Sequence, residues 1–281
     1  MITINETAEL RAQVDAWRRG GNVAFVPTMG NLHAGHLSLV REASRLADRV
    51  VVSIFVNPMQ FGEGEDFDSY PRTLEEDSRL LQAEGTDLLF APPVEVMYPK
   101  PSSEQTRVEV PGLSGLLCGA RRPGHFVGVA TVVCKLFNMV QSDIAVFGKK
   151  DYQQLMVIRR MVEDLAMPVR IVGVDTMRES DGLAMSSRNG YLTAQERAIA
   201  PVLYRVLEGL AAKLREGDGD YAGLQAAVAR ELDENGFRTD YVAIRRAADL
   251  LEPDADEKDL VVLAAAYLGK ARLIDNIEVS R

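Results

Sequence analysis

From Thr7 to Asp175 the chain alternates between helix and strand signals, and few architectures accept that order. TAELRAQVDAWRRGG has apolar residues at helical spacing, a Thr cap and a double-glycine stop. NVAFVP reads as a short buried strand, HLSLVREASRLADR as an amphipathic helix and VVVSIFV as the next strand. The alternation continues through helix RTLEEDSRLLQAEG, strand TDLLFAP, helix GVATVVCKLFNMVQS, strand IAVFG, helix KDYQQLMVIRRMVEDLAM and strand VRIVGVD. Strands separated by helices pair in parallel, which predicts an α/β fold: a Rossmann-like, doubly wound parallel sheet with ligands at the carboxyl ends of its strands.

The pattern changes near residue 176. TMRESDGLAMSSRNGYLT is polar and rich in Gly and Ser, and two helices follow, AQERAIAPVLYRVLEGLAAKLRE and YAGLQAAVARELDENG. Three strand-like runs, TDYVAIRRA, LVVLAAAYLG and ARLIDNIEV, complete the chain. This order predicts a first domain over 1–176 and a smaller α+β domain over 177–281.

Charge narrows the function classes. Lys and Arg number 32 against 41 acidic residues, a net charge of −9, and the pI is about 5.0. Such a surface repels nucleic acid, and an anionic ligand must be met by a local cluster of donors. No apolar run approaches the roughly 18 residues of a membrane span. MITINETAEL is unlike a signal peptide, and Cys118 and Cys134 lack metal or disulfide spacing, which places the chain in a reducing cytoplasm without a membrane partner.

Two of the three histidines fall in PTMGNLHAGHL, residues 27–37, between a strand and a helix. Backbone N–H groups and the helix dipole converge on anions at such a junction, and Gly30 and Gly35 leave room for a phosphate. His33 and His36, at i and i+3, share one side of the first helical turn. Capping or packing is a competing role, and so is metal chelation through His-x-x-His, although no third ligand lies near and the Glu of H-E-x-x-H is missing. The chain has no P-loop, and its one G-x-G-x-x-A string, GDGDYA at 217–222, sits in an acidic interhelical loop.

Three more segments complete the candidates. FGKKDYQQL, 147–155, brings Lys149 and Lys150 to a second strand end, with Asp151 as a cap or ribose partner and Gln153 and Gln154 as neutral hydrogen bonders. AMSSRN, 184–189, offers two hydroxyls and Arg188 to a triphosphate, or is ordinary turn chemistry. Gln60, in FVNPMQF, faces the same crevice, and the acidic EGEDFD after it is a solvated loop or a Mg²⁺ site.

HAGH resembles the HIGH motif of the nucleotidyltransferase superfamily, and MSSR resembles that superfamily's KMSKS-type loop. With PTMGNLHAGH, FVNPMQF, FGKKDYQQL and DGLAMSSRNGYL in this order, nearly the whole chain resembles the pantothenate synthetase, or pantoate–beta-alanine ligase, family. The resemblance implies that pantoate is activated by Mg-ATP to a pantoyl adenylate, from which the amine of β-alanine displaces AMP. It implies an ATP site of Met29, Gly30, Asn31, Leu32, His33, Ala34, Gly35 and His36, joined by Gly148, Lys149, Lys150 and Asp151. Met185, Ser186, Ser187 and Arg188 complete that site, and Met177 makes a backbone contact to adenine. Lys150 has no separate role.

By the same resemblance, His33, His36, Lys149 and Arg188 are expected to carry the catalytic role, with His36 the family's assigned proton donor. The resemblance implies that Gln60 and Gln154 hold pantoate and that Gln60 also lies where β-alanine enters. Asn31 stands where the family often has alanine. An unperturbed histidine is mostly neutral at pH 7, so both histidines are read here as stabilising charge in the transition state. The resemblance also implies a homodimer. The second domain is expected to close over the active site, and the MSSR loop, next to a domain junction and rich in Ser and Gly, is expected to act as a lid on ATP. The magnesium ligands are not assigned.

Rival readings are an adenylyltransferase that acts on another small acid or stops at a phosphorylated acceptor, and a nucleotide-sensing module without turnover. A tRNA synthetase is disfavoured because no basic anticodon-binding region follows residue 190.

Overall fold

The structure, a computed structural model, describes residues 1–62 and 64–281. Glu63, the first residue of the acidic stretch, lies outside the described residues. Met1–Lys149 with Gln154–Asp175 form one compact unit, and Lys150–Gln153 with Thr176–Arg281 form a second.

In the first unit, β1 (Ile2–Ile4), β2 (Val23–Thr28), β3 (Arg49–Ile54), β4 (Leu88–Phe90), β5 (Ile144–Gly148) and β6 (Arg170–Val174) make one sheet, ordered β1-β4-β3-β2-β5-β6. All its pairings are parallel, which is the doubly wound arrangement read from the sequence. Its helices are α1 (Thr7–Arg18), α2 (Ala34–Leu46), α3 (Leu74–Ala83), α4 (Val94–Met97), α5 (Leu117–Arg121), α6 (His125–Val140) and α7 (Tyr152–Asp164). The first two residues of α7 group with the second unit.

β2 alternates between two packing layers. Ala24 and Val26 pack with Leu39, Val40 and Ala43 of α2, while Phe25 meets Phe137 of α6 edge-on at 6.4 Å. Burial of a side chain such as Phe25 contributes about 1.5–3 kcal/mol. β2 pairs with β3 on one side and β5 on the other. The chain therefore runs outward through β3 and β4, then returns across β2, and the topological switch point lies between β2 and β5. Carboxylates anchor the amino edge: Asp143 accepts from Val23 N, Asp87 from Val50 N and Asp48 from Asn22 N, each at 2.9 Å.

The second unit contains α8 (Ala194–Ile199), α9 (Val202–Arg215), α10 (Tyr221–Glu234) and the antiparallel strands β7 (Arg238–Arg246), β8 (Asp259–Leu268) and β9 (Ala271–Ser280). Leu203, Leu207 and Leu210 of α9 and Val228 and Leu232 of α10 pack on Ile244, Val262, Ala264 and Leu273 of the sheet.

Three local features differ from the sequence reading. Ile2–Ile4 form an edge strand beside Leu88–Phe90, a run too short to show periodicity. The helix read over 194–216 breaks at Ala200–Pro201, because proline has no N–H for the preceding turn. The long loop after β3 opens with a 3-10 turn, Pro58–Gln60, capped by Asn57.

α6 approaches that turn closely. A Cβ added at Gly128 would lie 2.2 Å from Met59 O and 2.7 Å from Gln60 Cα. Gly128→Ala should therefore lower stability by about 1–3 kcal/mol, as overpacking against backbone does. Urea denaturation measures this, and an unchanged midpoint would mean that the helix has room to move.

Candidate active site

The HAGH turn leaves the carboxyl end of β2 at the switch point. Gly30 and Asn31 take left-handed φ values of +83° and +51°, a conformation open to glycine and tolerated by asparagine. A Cβ on Gly30 would also lie 3.0 Å from Asp77 Oδ2. Asp77, buried on α3, accepts from Asn31 N at 2.9 Å and Leu32 N at 2.8 Å, and Thr73 Oγ1 lies 3.1 Å away.

His33 is the N-cap of α2 and His36 its third residue, and the two make a reciprocal capping box. Gly35 N donates to His33 Nδ1 at 3.2 Å, and His33 N donates to His36 Nδ1 at 3.3 Å. Their ring centroids are 4.1 Å apart. A backbone N–H can only donate, so each Nδ1 must be the lone-pair nitrogen and each Nε2 must carry the proton in the neutral ring. Capping and ligand binding are therefore compatible roles for different nitrogens of the same rings.

The geometry corrects one element of the sequence reading. The N–H groups of Gly30, Asn31, Leu32, His33 and Gly35 have acceptors inside the protein. They do not form a backbone cradle for an anion, and the donors suited to that task are the imidazole Nε2–H groups. Among the described residues no group of three or more His, Cys, Asp or Glu side chains is placed to hold a metal.

Gln60 is buried in the 3-10 turn after β3. Its Oε1 accepts from Asn57 Nδ2 at 3.0 Å, and its Nε2 lies 2.9 Å from Met29 Sδ, which joins two of the candidate segments. Asn57 is itself fixed by Tyr98 Oη at 2.8 Å and by Gly128 O at 3.1 Å. The third histidine, His125, has Nδ1 2.7 Å from Gln60 O and Nε2 3.1 Å from Arg122. The carbonyl can only accept, so this ring is protonated on Nδ1.

Arg122 also grips Glu65 with bonds of 2.7 and 2.6 Å. Burial works against the Glu65 carboxylate, but the bonds and charge of Arg122, with the Gly62 backbone and His125, together hold the group below its usual pKa. At least one acid of EGEDFD is thus a structural ion-pair partner.

Gly148 ends β5, beside β2 in the sheet, and Lys149 begins a 3-10 turn that runs to Asp151. Lys149 Nζ pairs with Asp175 Oδ1 at 2.9 Å. Gln154 is half-buried on α7. Lys150 and Asp151 belong to the second unit, as do Met177 and Met185 to Arg188.

In that unit the polar segment is an antiparallel ribbon. Met185 N donates to Met177 O at 2.9 Å and Glu179 N to Leu183 O at 2.8 Å, with Gly182 at φ +93° in its bend. Met177 and Met185 are therefore opposite each other. Ser186 Oγ accepts from Arg188 N at 3.3 Å and caps a 3-10 turn over Ser187–Tyr191. Asn189 Nδ2 ties that turn to Ala184 O at 3.1 Å.

Sequence reasoning missed Asp77, Asn57, His125 and Asp175. Asp77 looks like any acid in a first helical turn, and Asp175 like the polar end of a strand. Asn57 stands beside a proline, which marks a cap, but its hold on Gln60 depends on a turn that residue types alone do not specify.

The chain matches the Pantoate-beta-alanine ligase family over residues 2–278. It is 58% identical to a pantothenate synthetase of Shewanella oneidensis over 282 residues, with 100% of each chain covered. The crystal structure of pantothenate synthetase from Thermus thermophilus superposes with a TM-score of 0.92 at 51% identity and 100% coverage of both chains. A pantoate-beta-alanine ligase from Francisella tularensis, complexed with beta-gamma ATP and beta-alanine, gives 0.84 at 32% identity, covering 99% of this chain and 97% of that one. The switch-point turn, its paired histidines and these full-length similarities place the chain in the pantoate-beta-alanine ligase family.

Proposed function

We propose that the chain condenses (R)-pantoate with β-alanine at the expense of ATP, giving pantothenate, AMP and diphosphate. A carboxylate oxygen of pantoate attacks the α-phosphate, and the bond to the β-phosphate breaks as diphosphate leaves. The β-alanine amine then attacks the acyl carbon of the pantoyl adenylate, and AMP leaves with the electron pair of the acyl–oxygen bond. Family membership supports this reading, as does the β-alanine bound to the Francisella relative.

The observation that carries the chemistry is the pair of imidazoles held as Nε2–H donors by their own helix cap. Adenylation moves negative charge onto the phosphates, and fixed donors aimed at developing charge are an effective form of stabilisation. Protonation of either Nδ1 would set an N–H against a backbone N–H and remove a cap. His33 and His36 therefore act as neutral hydrogen-bond donors, without passing a proton.

In this proposal Met29 to His36, Gly148 to Asp151, Met177 and Met185 to Arg188 bind ATP. Lys149 and Arg188 offset phosphate charge. Gln60 and Gln154 hold the hydroxyls and carboxylate of pantoate, because an amide both donates and accepts without acting as a nucleophile. Mg²⁺ would be held by triphosphate oxygens and water, since it keeps much of its water and needs few protein carboxylates. The reaction belongs in the cytoplasm, and no helix among the described residues is long and apolar enough to cross a membrane.

With ATP, Mg²⁺, pantoate and β-alanine, the chain should release diphosphate and form AMP and an amide in equal amounts. Diphosphate release that does not depend on pantoate would reject the assignment, and AMP without amide would indicate a different acceptor. His36→Ala should slow adenylation by about 100-fold or more. His36→Gln keeps both an acceptor for the cap and a donor for the ligand, so it should retain most of that rate. Equal losses in single-turnover measurements would restore proton donation by His36. The same reading includes a homodimer: light scattering should give twice the 30.9 kDa chain mass, and the mass of a single chain would exclude it.

A further inference from the structure

The last strand contains two adjacent buried polar residues, Asp275 and Asn276, which the proposed chemistry does not use. Neighbouring residues on a strand face opposite sides of the sheet. Leu273 and Val279, in phase with Asp275, pack in the core with α9 and α10.

On that side Asp275 holds both arms of Arg178, at 2.6 and 3.0 Å. The Arg178 guanidinium lies 3.6 Å from the centre of the Tyr204 ring and donates to Gly182 O at 3.2 Å. Arg178 stands next to Met177 and bridges Ala184 across the ribbon that leads into Met185 to Arg188. On the other side Asn276 Nδ2 donates to Lys150 O at 2.8 Å. Glu278, in phase with Asn276, lies 3.2 Å from Tyr152 Oη, which is also 3.2 Å from Ala247 O.

We infer that Asp275 and Asn276 are positioning residues for the nucleotide, a two-faced clip that holds Lys150–Asp151 on one face of β9 and the Met177–Arg188 ribbon on the other. The inference rests on the reading that both segments bind ATP. A bidentate Arg–carboxylate pair whose acid is buried fixes direction as well as distance. Asn276 fixes a main-chain carbonyl, so the held turn keeps its register whichever side chains it carries. One rigid strand then sets the separation of two binding segments 26 residues or more apart in sequence. Neither residue touches the ligand in this scheme.

The test is steady-state kinetics on the full chain, with Mg-ATP affinity measured in parallel by calorimetry. Asn276→Ala removes the hydrogen bond to Lys150 O and should raise the KM and Kd for ATP roughly tenfold, with the KM for β-alanine within about twofold of the parent. Arg178→Lys keeps the charge but loses the fork, and should show the same selective loss for ATP. Ser280→Ala removes a side-chain hydrogen bond elsewhere on the same strand, Ser280 Oγ to Asp259 Oδ1 at 2.8 Å, and should leave ATP affinity unchanged. Unchanged ATP affinity in folded Asn276→Ala, or equal weakening by Ser280→Ala, would overturn the clip. Absence of turnover by the parent chain would instead reject the proposed function, while the calorimetric comparison still decides the clip.

Discussion

β2 has a hydrogen-bonded strand on each side and a helical layer on each face, and this enclosure determines where chemistry can occur. A strand so placed is accessible only at its ends. Its amino end is tied down by Asp143, which accepts the N–H of Val23. Its carboxyl end opens at the switch point, where the connections leaving β2 and β5 diverge and cannot cover the sheet edge. The HAGH turn and the Gly148–Lys149 junction therefore leave adjacent strands at the one edge the topology keeps open.

The buried carboxylate of Asp77 behind that turn is at first sight an unfavourable neighbour for an anion. Its two backbone hydrogen bonds resolve the conflict. They compensate the desolvation of the carboxylate, and they pin the turn at Asn31 and Leu32, just after the left-handed Gly30. The same bonds withdraw two N–H groups from any ligand. In the proposed function, contact with the ligand consequently falls to the histidine side chains, whose orientation α2 fixes.

The sheet was legible in the sequence because hydrophobic runs and helical periods alternate without interruption, and the four candidate segments were legible because each sits at a junction in that pattern. The break at Pro201 was less visible, since Ala200 and Val202 keep the apolar spacing on both sides of it. Residue types also placed His33 and His36 on one helical turn but did not show which nitrogen faces the backbone. That assignment required the reciprocal cap. The clip in β9 was invisible for a related reason: Asp275 and Asn276 look like a polar interruption in an apolar strand until Arg178 and Lys150 are seen on its two faces.

Helix N-caps normally use Ser, Thr, Asp or Asn, with Glu or Gln at the third position. An Asp at position 33 or a Glu at 36 would satisfy the same N–H groups, but would place a negative charge where the proposed reaction gathers phosphates. Ser or Thr would cap without charge and leave no donor at the distance of a second ring nitrogen. Imidazole accepts on one edge and donates on the far edge of a rigid ring while remaining neutral, and among the usual capping residues only an amide comes near to that pairing. The two histidines of HAGH thus meet a cap requirement and a ligand requirement that are hard to reconcile in the usual capping residues.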